Sequence, residues 1–379
     1  MNIEHFDYIE LAYEYPLCQP VPEKEDYFLL PVLIANQMGM RTAIFTTRTP
    51  VTPKKREKVN CVDVIRFESV GSMLKQIIKL KPMLVHGHSF GWIPATLAPL
   101  FVTRYVLTPH IYKLNIYPSW KVNLVLSLIK KSDALIVLTN FEKFQFKHFV
   151  NESKIHVIPH PIDYDFFSNT KDSEKKQILS RYGLKPTDKL ILCVANLVPR
   201  KNLETLIRSF KLVKKKFPES KLIIVGGEPK TILGVTTPRE PKRSYRSKLI
   251  EMTERMGIKG HVIFAGYQKD KELRGFFKAA DVFCLPSLIE GQCLAAGEAA
   301  AAGLPLVLSN LEPLVEIYQG CALFHEPTDY EGLAMHIVNV LENPKLAKTL
   351  GNMGRAKMQN YRPTIIQTKL KKLYESLLS

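Results

Sequence analysis

A two-domain α/β fold built on doubly wound parallel sheets is what the sequence predicts, and three observations carry it. Short β-branched runs alternate with helical patterns along most of the chain, and strands alternating with helices pair in parallel. The runs fall into two sets of about six, separated by a Lys-, Ser- and Asp-rich stretch around 168–188. The length of 379 residues is that of two ordinary domains.

Taken in order, strands are expected at 41–48, 62–67, 83–89, 104–110, 133–140 and 155–160. A second set follows at 189–196, 221–227, 261–267, 281–287 and 305–310. Ligands of such sheets bind beyond the carboxyl ends of the strands. The residues closing the strands therefore matter most: His86-Gly87-His88, His110, Asn140, His160, Asn196, Gly226-Gly227, Tyr267 and Ser287. Histidines close three strands of the first set. The stretch 365–378 is amphipathic and reads as a final helix on a domain surface.

The composition, 46% hydrophobic and 23% charged, is that of a globular chain with real cores. No apolar run reaches the roughly 18 residues that span a bilayer. The first residues are acidic and lack a signal-peptide pattern. Six cysteines, at 18, 61, 193, 284, 293 and 321, form no C-x-x-C pair. They read as reduced, buried thiols of a cytoplasmic protein.

The formal charge of +17 is unevenly placed. Residues 39–131 hold fifteen Lys and Arg against three acids, and no acid falls between Glu68 and Asp133. Such a field attracts phosphate, on a nucleotide, a nucleic acid or an anionic bilayer. The segment 112–131 mixes Trp120, tyrosines, aliphatics and lysines. It reads either as a membrane-docking face or as a core-packing helix with snorkelling lysines.

Two constellations carry chemistry. In 286–305 the carboxylates Glu290 and Glu298 lie eight residues apart, about 80° of helical azimuth. The stretch reads as a loop running into a tight helix, with Glu290 at its mouth. A helix start offers unpaired N–H groups to anions. Carboxylates there suit paired hydroxyls, so the ligand would be both phosphorylated and polyhydroxylated. In 194–210 a strand runs into a helix with Arg200 and Lys201 at the corner, a clamp for a diphosphate.

Together these stretches resemble a family 4 glycosyltransferase of GT-B fold. The resemblance rests on Val194 to Asn202 (V-A-N-L-V-P-R-K-N), on Pro286 to Gly291 (P-S-L-I-E-G) and on Glu298 to Pro305 (E-A-A-A-A-G-L-P). It rests more softly on Thr108-Pro109-His110 and on Val157 to Asp163. It implies two Rossmann-like domains facing a central cleft. The acceptor domain would be 1–165, with helix 361–379 packing back on it. The linker region would be 166–186 and the nucleotide-sugar domain 187–360.

The resemblance also implies a retaining hexosyltransferase that needs no metal and no cofactor beyond its nucleotide-sugar co-substrate. Lys201 and Arg200 would hold the diphosphate and Glu298 the ribose hydroxyls. Glu290 would meet the donor sugar, with the N–H groups of Gly291, Gln292, Cys293 and Leu294 nearby. His110 would lie at the reacting carbon. Glu290 is then a positioning residue, and the departing phosphate helps deprotonate the acceptor on the same face.

Three departures stand out. Asn196 replaces the usual Arg, and lacks its guanidinium fork. Gln292-Cys293 replaces an aromatic–Gly pair. The first strand–helix loop, 15–26, lacks the expected Gly-Gly. The triplet Asp163-Tyr164-Asp165 is too common by chance to signal a metal.

The expected acceptor is a hydroxyl-bearing glycan or a lipid-linked one, with peripheral contact to the cytoplasmic membrane face left open. A GT-B epimerase of nucleotide-sugars and a basic nucleic-acid-binding protein are the alternatives. No nucleic-acid module is recognisable for the latter, so nucleic acid is not an expected partner.

Overall fold

The computed structural model describes residues 5–12, 29–48, 54–59, 62–88, 93–110, 119–228, 231–232, 235–236 and 244–379. The chain divides into two compact units: Met1–Pro161 with Pro363–Ser379, and Ile162–Arg362.

The first unit is built on a sheet of β1 (Tyr8–Leu11), β2 (Thr42–Thr47), β3 (Arg56–Val59), β4 (Val62–Phe67), β5 (Leu84–His88), β6 (Tyr105–Thr108), β7 (Ala134–Val137) and β8 (Ile155–Val157). Their spatial order is β3-β4-β2-β1-β5-β6-β7-β8. All neighbours are parallel except the edge strand β3, which runs antiparallel to β4. Two of these strands escape a search for apolar runs. β1 carries a glutamate, and β3 is a polar edge with no buried residue.

Both faces of this sheet are covered, as a parallel sheet requires. Side chains alternate between faces with a period of two. Ile9, Leu11, Phe45, Val85, Leu135 and Val137 pack on one side, under helices Val70–Leu80 and Ser119–Ile129. Tyr8, Ile44, Leu84, Val106 and Ile136 pack on the other, under helices Leu29–Gln37 and Pro363–Leu378. The last helix buries Ile366, Leu370, Leu373 and Tyr374, spaced along one stripe.

The second unit holds β9 (Leu190–Val194), β10 (Lys221–Val225), a small hairpin of β11 (Thr231–Ile232) and β12 (Val235–Thr236), then β13 (Val262–Gly266), β14 (Val282–Leu285), β15 (Leu306–Ser309) and β16 (Ala322–His325). Its main sheet runs β13-β10-β9-β14-β15-β16, with neighbours parallel. The chain winds outward from β9 in one direction, then restarts at β14 on its other side. This is the Rossmann order, and the crevice beyond the carboxyl ends of β9 and β14 is its topological switch point.

The stretch 166–186, expected as a linker, falls within the second unit and is helical over Asp172–Arg181. Helix Asp172–Arg181 lies against helix Asp270–Ala279, where Gly275 makes room for Ile178. Arg274 pairs with Glu174 and donates to the Phe166 carbonyl at 3.3 Å. Its polar composition marks a solvated helix face rather than a tether. Asp163 caps helix Tyr164–Ser168 by accepting from the Phe166 N–H at 3.1 Å, and Asp165 pairs with Arg362 at 2.9 Å. The triplet Asp163-Tyr164-Asp165 thus has structural partners.

Candidate functional site

The two sequence constellations meet at the switch point of the second unit. β9 ends at Val194 and leads through Asn196 to the turn Pro199–Lys201, and β14 ends at Leu285 and leads to Glu290. The Leu288 N–H donates to the Arg200 carbonyl at 2.8 Å, tying one loop to the other. Gly226, at the end of β10, has φ +140, and a Cβ there would stand 1.9 Å from the Ala195 carbonyl oxygen. That close approach holds the turn at Asn196.

Lys201 and Glu290 form an ion pair, the two side chains being 12% and 5% exposed. Glu290 Oε1 also accepts from Ser287 Oγ at 2.8 Å. Among the described residues, Oε2 of Glu290 accepts no hydrogen bond and the Lys201 ammonium has no second partner. Arg200 and Asn196 are exposed.

The cations do not open a helix, as the spacing suggested. They sit in a single turn before it, and Asn202, in the left-handed conformation at φ 52, starts helix Leu203–Lys216. Asn202 tolerates that backbone because its amide donates to the Pro327 carbonyl at 2.7 Å and accepts from Thr205 at 3.0 Å.

Helix Leu294–Ala301 begins four residues after Glu290. Cys293 precedes it at φ 55, again left-handed. Tyr318 Oη clamps this turn, donating toward the Gln292 and Cys293 carbonyls at 3.1 and 3.0 Å. Gly291, Gln292 and Cys293 are buried, while Leu294 and Glu298 are half-buried. Burial, then the charge of Glu290, pushes the Cys293 thiol up to about 12; Lys201 pulls it down and Glu298 adds to the rise. Lys201, Glu290 and Glu298 therefore all act on one thiol. Cys193, Cys284 and Cys321 are likewise free and buried, whereas Cys18 and Cys61 lie outside the described residues.

The first unit gathers the histidines. Even-numbered positions of β1, β5 and β6 share one face, and the register sets Glu10 beside His86, and His88 beside Thr108. Glu10, His86 and His88 are at most 2% exposed. Glu10 accepts from the Tyr8 hydroxyl and bonds His88 Nε2. His88 Nδ1 lies 2.8 Å from His110 Nε2, and the two rings stack, as do those of His110 and His160. His86 bonds Tyr374 Oη at 2.7 Å and Thr108 Oγ1 at 2.8 Å. His110 itself has φ 50, strain of a kind that gathers at functional sites.

Burial, followed by neighbouring imidazoles, holds His88, His110 and His160 well below the usual histidine range, and burial brings His86 down to about 3. Burial raises Glu10 to about 7. Ligand atoms of Glu10, His86 and His88 lie within 4.8 Å of one another. Each of these imidazole nitrogens already has a hydrogen-bond partner, so a cation would have to displace those bonds. A pocket borders the cluster, walled by Leu30, Ile136, Ile158, Ile366 and Leu370.

Sequence reading found His86, His88, His110 and His160 but missed Glu10, Tyr8 and Tyr374. The i, i+2 spacing of His86 and His88 in a strand was the available signal. The expected acceptor loop, 15–26, and residues 112–118 lie outside the described residues. Helix Ser119–Ile129 buries Val125, Leu126 and Ile129 in the core, the second of the two readings of 112–131 for that part. Among the described residues no helix is long and apolar enough to cross a membrane.

Comparison with known proteins gives consistent results. Residues 174–357 match the family described as glycosyl transferases group 1, and residues 36–166 match glycosyltransferase family 4. The chain is 30% identical over 209 residues to mannosylfructose-phosphate synthase of Agrobacterium fabrum, across 54% of this chain and 44% of that protein. It is 25% identical over 282 residues to the GDP-mannose-dependent alpha-(1-6)-phosphatidylinositol monomannoside mannosyltransferase of Mycolicibacterium smegmatis, across 71% and 63%. It thus spans about half the length of curated relatives it matches. The structure of sucrose-phosphate synthase from Thermosynechococcus elongatus superposes with a TM-score of 0.81 at 20% identity, covering 98% of this chain and 99% of that one. At that identity the likeness concerns the fold.

Proposed function

Because the chain belongs to the group 1 and family 4 glycosyltransferases of GT-B fold, we propose that it transfers a sugar from a nucleotide-diphosphate-sugar to a hydroxyl acceptor with retention of configuration. The observation that carries this reading is the Lys201–Glu290 pair at the switch point of the second unit. Each partner keeps capacity for a ligand. An ammonium has three donors, and one bond to Glu290 leaves two for a phosphate. Glu290 Oε1 takes Lys201 and Ser287, which leaves Oε2 for a donor-sugar hydroxyl.

Breaking the sugar–phosphate bond builds negative charge on the diphosphate. Lys201, exposed Arg200 and the N–H groups from Gly291 to Leu294 supply fixed positive potential there. These cations are the proposed means of working without a metal. Glu298, in the following helix, holds the ribose. Asn196 stands at the mouth as a hydrogen-bonding group in place of a cation, and His110 serves the reacting sugar. A thermal-shift screen with UDP-, GDP- and ADP-sugars tests the reading, because a ligand of the folded state raises its apparent stability. No shift with any of them contradicts it.

A lipid-linked or membrane-proximal acceptor is the finer part of the proposal. In the first unit, Ile78, Met83, Leu100 and Phe101 are exposed, and Lys75, Lys79, Lys81, Lys130 and Lys131 are exposed as well. Apolar side chains among lysines suit an anionic bilayer surface. The phosphatidylinositol acceptor in the name of the mycobacterial relative supports the same reading. Co-sedimentation with vesicles that does not rise with anionic lipid content counts against it.

A further inference from the structure

The geometry points to Glu10 and His88 as positioning residues that decide which ring nitrogen of His110 carries a proton. The inference rests on the proposed role of His110 in transfer and goes one step behind it.

A carboxylate only accepts hydrogen bonds, and a neutral imidazole donates from one nitrogen and accepts at the other. Glu10 bonds His88 Nε2, and His88 Nδ1 lies 2.8 Å from His110 Nε2. With Glu10 ionised and His88 neutral, His88 donates from Nε2 and must accept at Nδ1. His110 then holds its proton on Nε2, and its Nδ1 is an acceptor. One proton added from water reverses the chain. It enters at His110 Nδ1 while the Nε2 proton passes to His88 Nδ1. His88 in turn gives its Nε2 proton to Glu10, because burial disfavours an imidazolium there, and His110 is left with its proton on Nδ1. The Glu10–His88 pair thus converts its own charge state into the donor or acceptor character of His110, the property a sugar hydroxyl would read.

The surroundings supply the other terms. Tyr8 donates to Glu10 from the same strand, and Tyr374 reaches it through Tyr8 from the last helix. Tyr105 on β6 and His86 on β5 act on it electrostatically, and His160 stacks on His110. Burial brings Glu10 to about 7, so the switch falls within reach of neutral pH.

Nitrogen-15 NMR of histidine-labelled protein, with carbon-13 on the glutamate carboxyls, tests this without any sugar substrate. At high pH, His110 Nε2 should show the protonated and Nδ1 the bare signature. The two should exchange on acidification with the midpoint of the Glu10–His88 pair. Glu10→Gln should abolish that exchange, because an amide does not titrate, and should lower kcat at least about tenfold with KM for nucleotide-sugar unchanged. A His110 tautomer indifferent to pH across the titration of the pair overturns the inference, as does a folded E10Q protein with the parent pH profile. The titration of the parent protein decides the matter even if E10Q does not fold. Failure to bind any nucleotide-sugar would instead defeat the proposed function and leave the tautomer result standing.

Discussion

The Lys201 ammonium and the Glu290 carboxylate pair directly, although 89 residues separate them along the chain. They are brought together because β9 and β14 are neighbours whose loops leave on the same edge. The pair is mostly shielded from water, so its members depend on each other. A buried charge left alone is costly, whereas a matched neutral pair is tolerated.

Lys201→Ala is expected to lower stability by about 3 kcal/mol, beyond any loss of donor binding. The double variant Lys201→Met with Glu290→Gln should recover most of that loss and remain unable to bind a nucleotide-sugar. Chemical denaturation of the three proteins, followed in the second unit, checks both statements.

The left-handed turn at Cys293 gives a ranking. Its φ of 55 strains any side chain and a β-branched one most. Cys293→Gly should lie within about 1 kcal/mol of the parent, the relieved strain offsetting lost packing. Cys293→Val should be less stable than Cys293→Gly by at least about 1 kcal/mol. Equal melting temperatures for the two would show that this backbone is not strained.

Gly226 and Gly257 both have positive φ, but only Gly226 has a neighbour in the way. Gly257→Ala should cost about 1 kcal/mol, for backbone strain alone. Gly226→Ala meets the Ala195 carbonyl as well and should cost several times that. It should also weaken donor binding by shifting Asn196 and the turn that follows. Paired melts with donor titrations separate the two effects.

Acid should open the first unit. His86, His88, His110 and His160 are held neutral by burial, so they contribute stability present above the unfolded value of about 6.5. That stability is lost as pH falls from there; for His86 the window extends down to about 3. Glu10 works the opposite way. Its raised value, about 7 against 4.5, contributes stability present below 4.5 and lost as pH rises toward 7. Glu10→Gln should therefore steepen the loss of stability on going from pH 7 to 4.5. Hydrogen exchange of β5 and β6 amides against pH reads this locally.

Much of this was visible in the residues. The parallel strands announced themselves as β-branched runs, and the motifs around Lys201 and Glu290 stood at their carboxyl ends. Three strands of the two main sheets were hidden for physical reasons, the polar edge strand β3 among them. β1 contains Glu10, whose charge masks an apolar strand until its partners on β5 are known, and β16 (ALFH) is too short to show a period. The direct pairing of Lys201 with Glu290 was equally invisible, because spacing along a chain does not report which loops share a sheet edge. The polar stretch 166–186 misled in the other direction, since solvated helices and tethers have similar compositions.

The switch point of the second unit is the proposed nucleotide-sugar site. Calorimetric titration of the parent, Lys201→Ala and Glu298→Ala with the nucleotide-sugar found by the thermal screen tests it most directly. The parent should bind, and each variant should lose at least about tenfold in affinity, roughly 1.4 kcal/mol. Full donor affinity in a folded Lys201→Ala or Glu298→Ala protein would contradict the account.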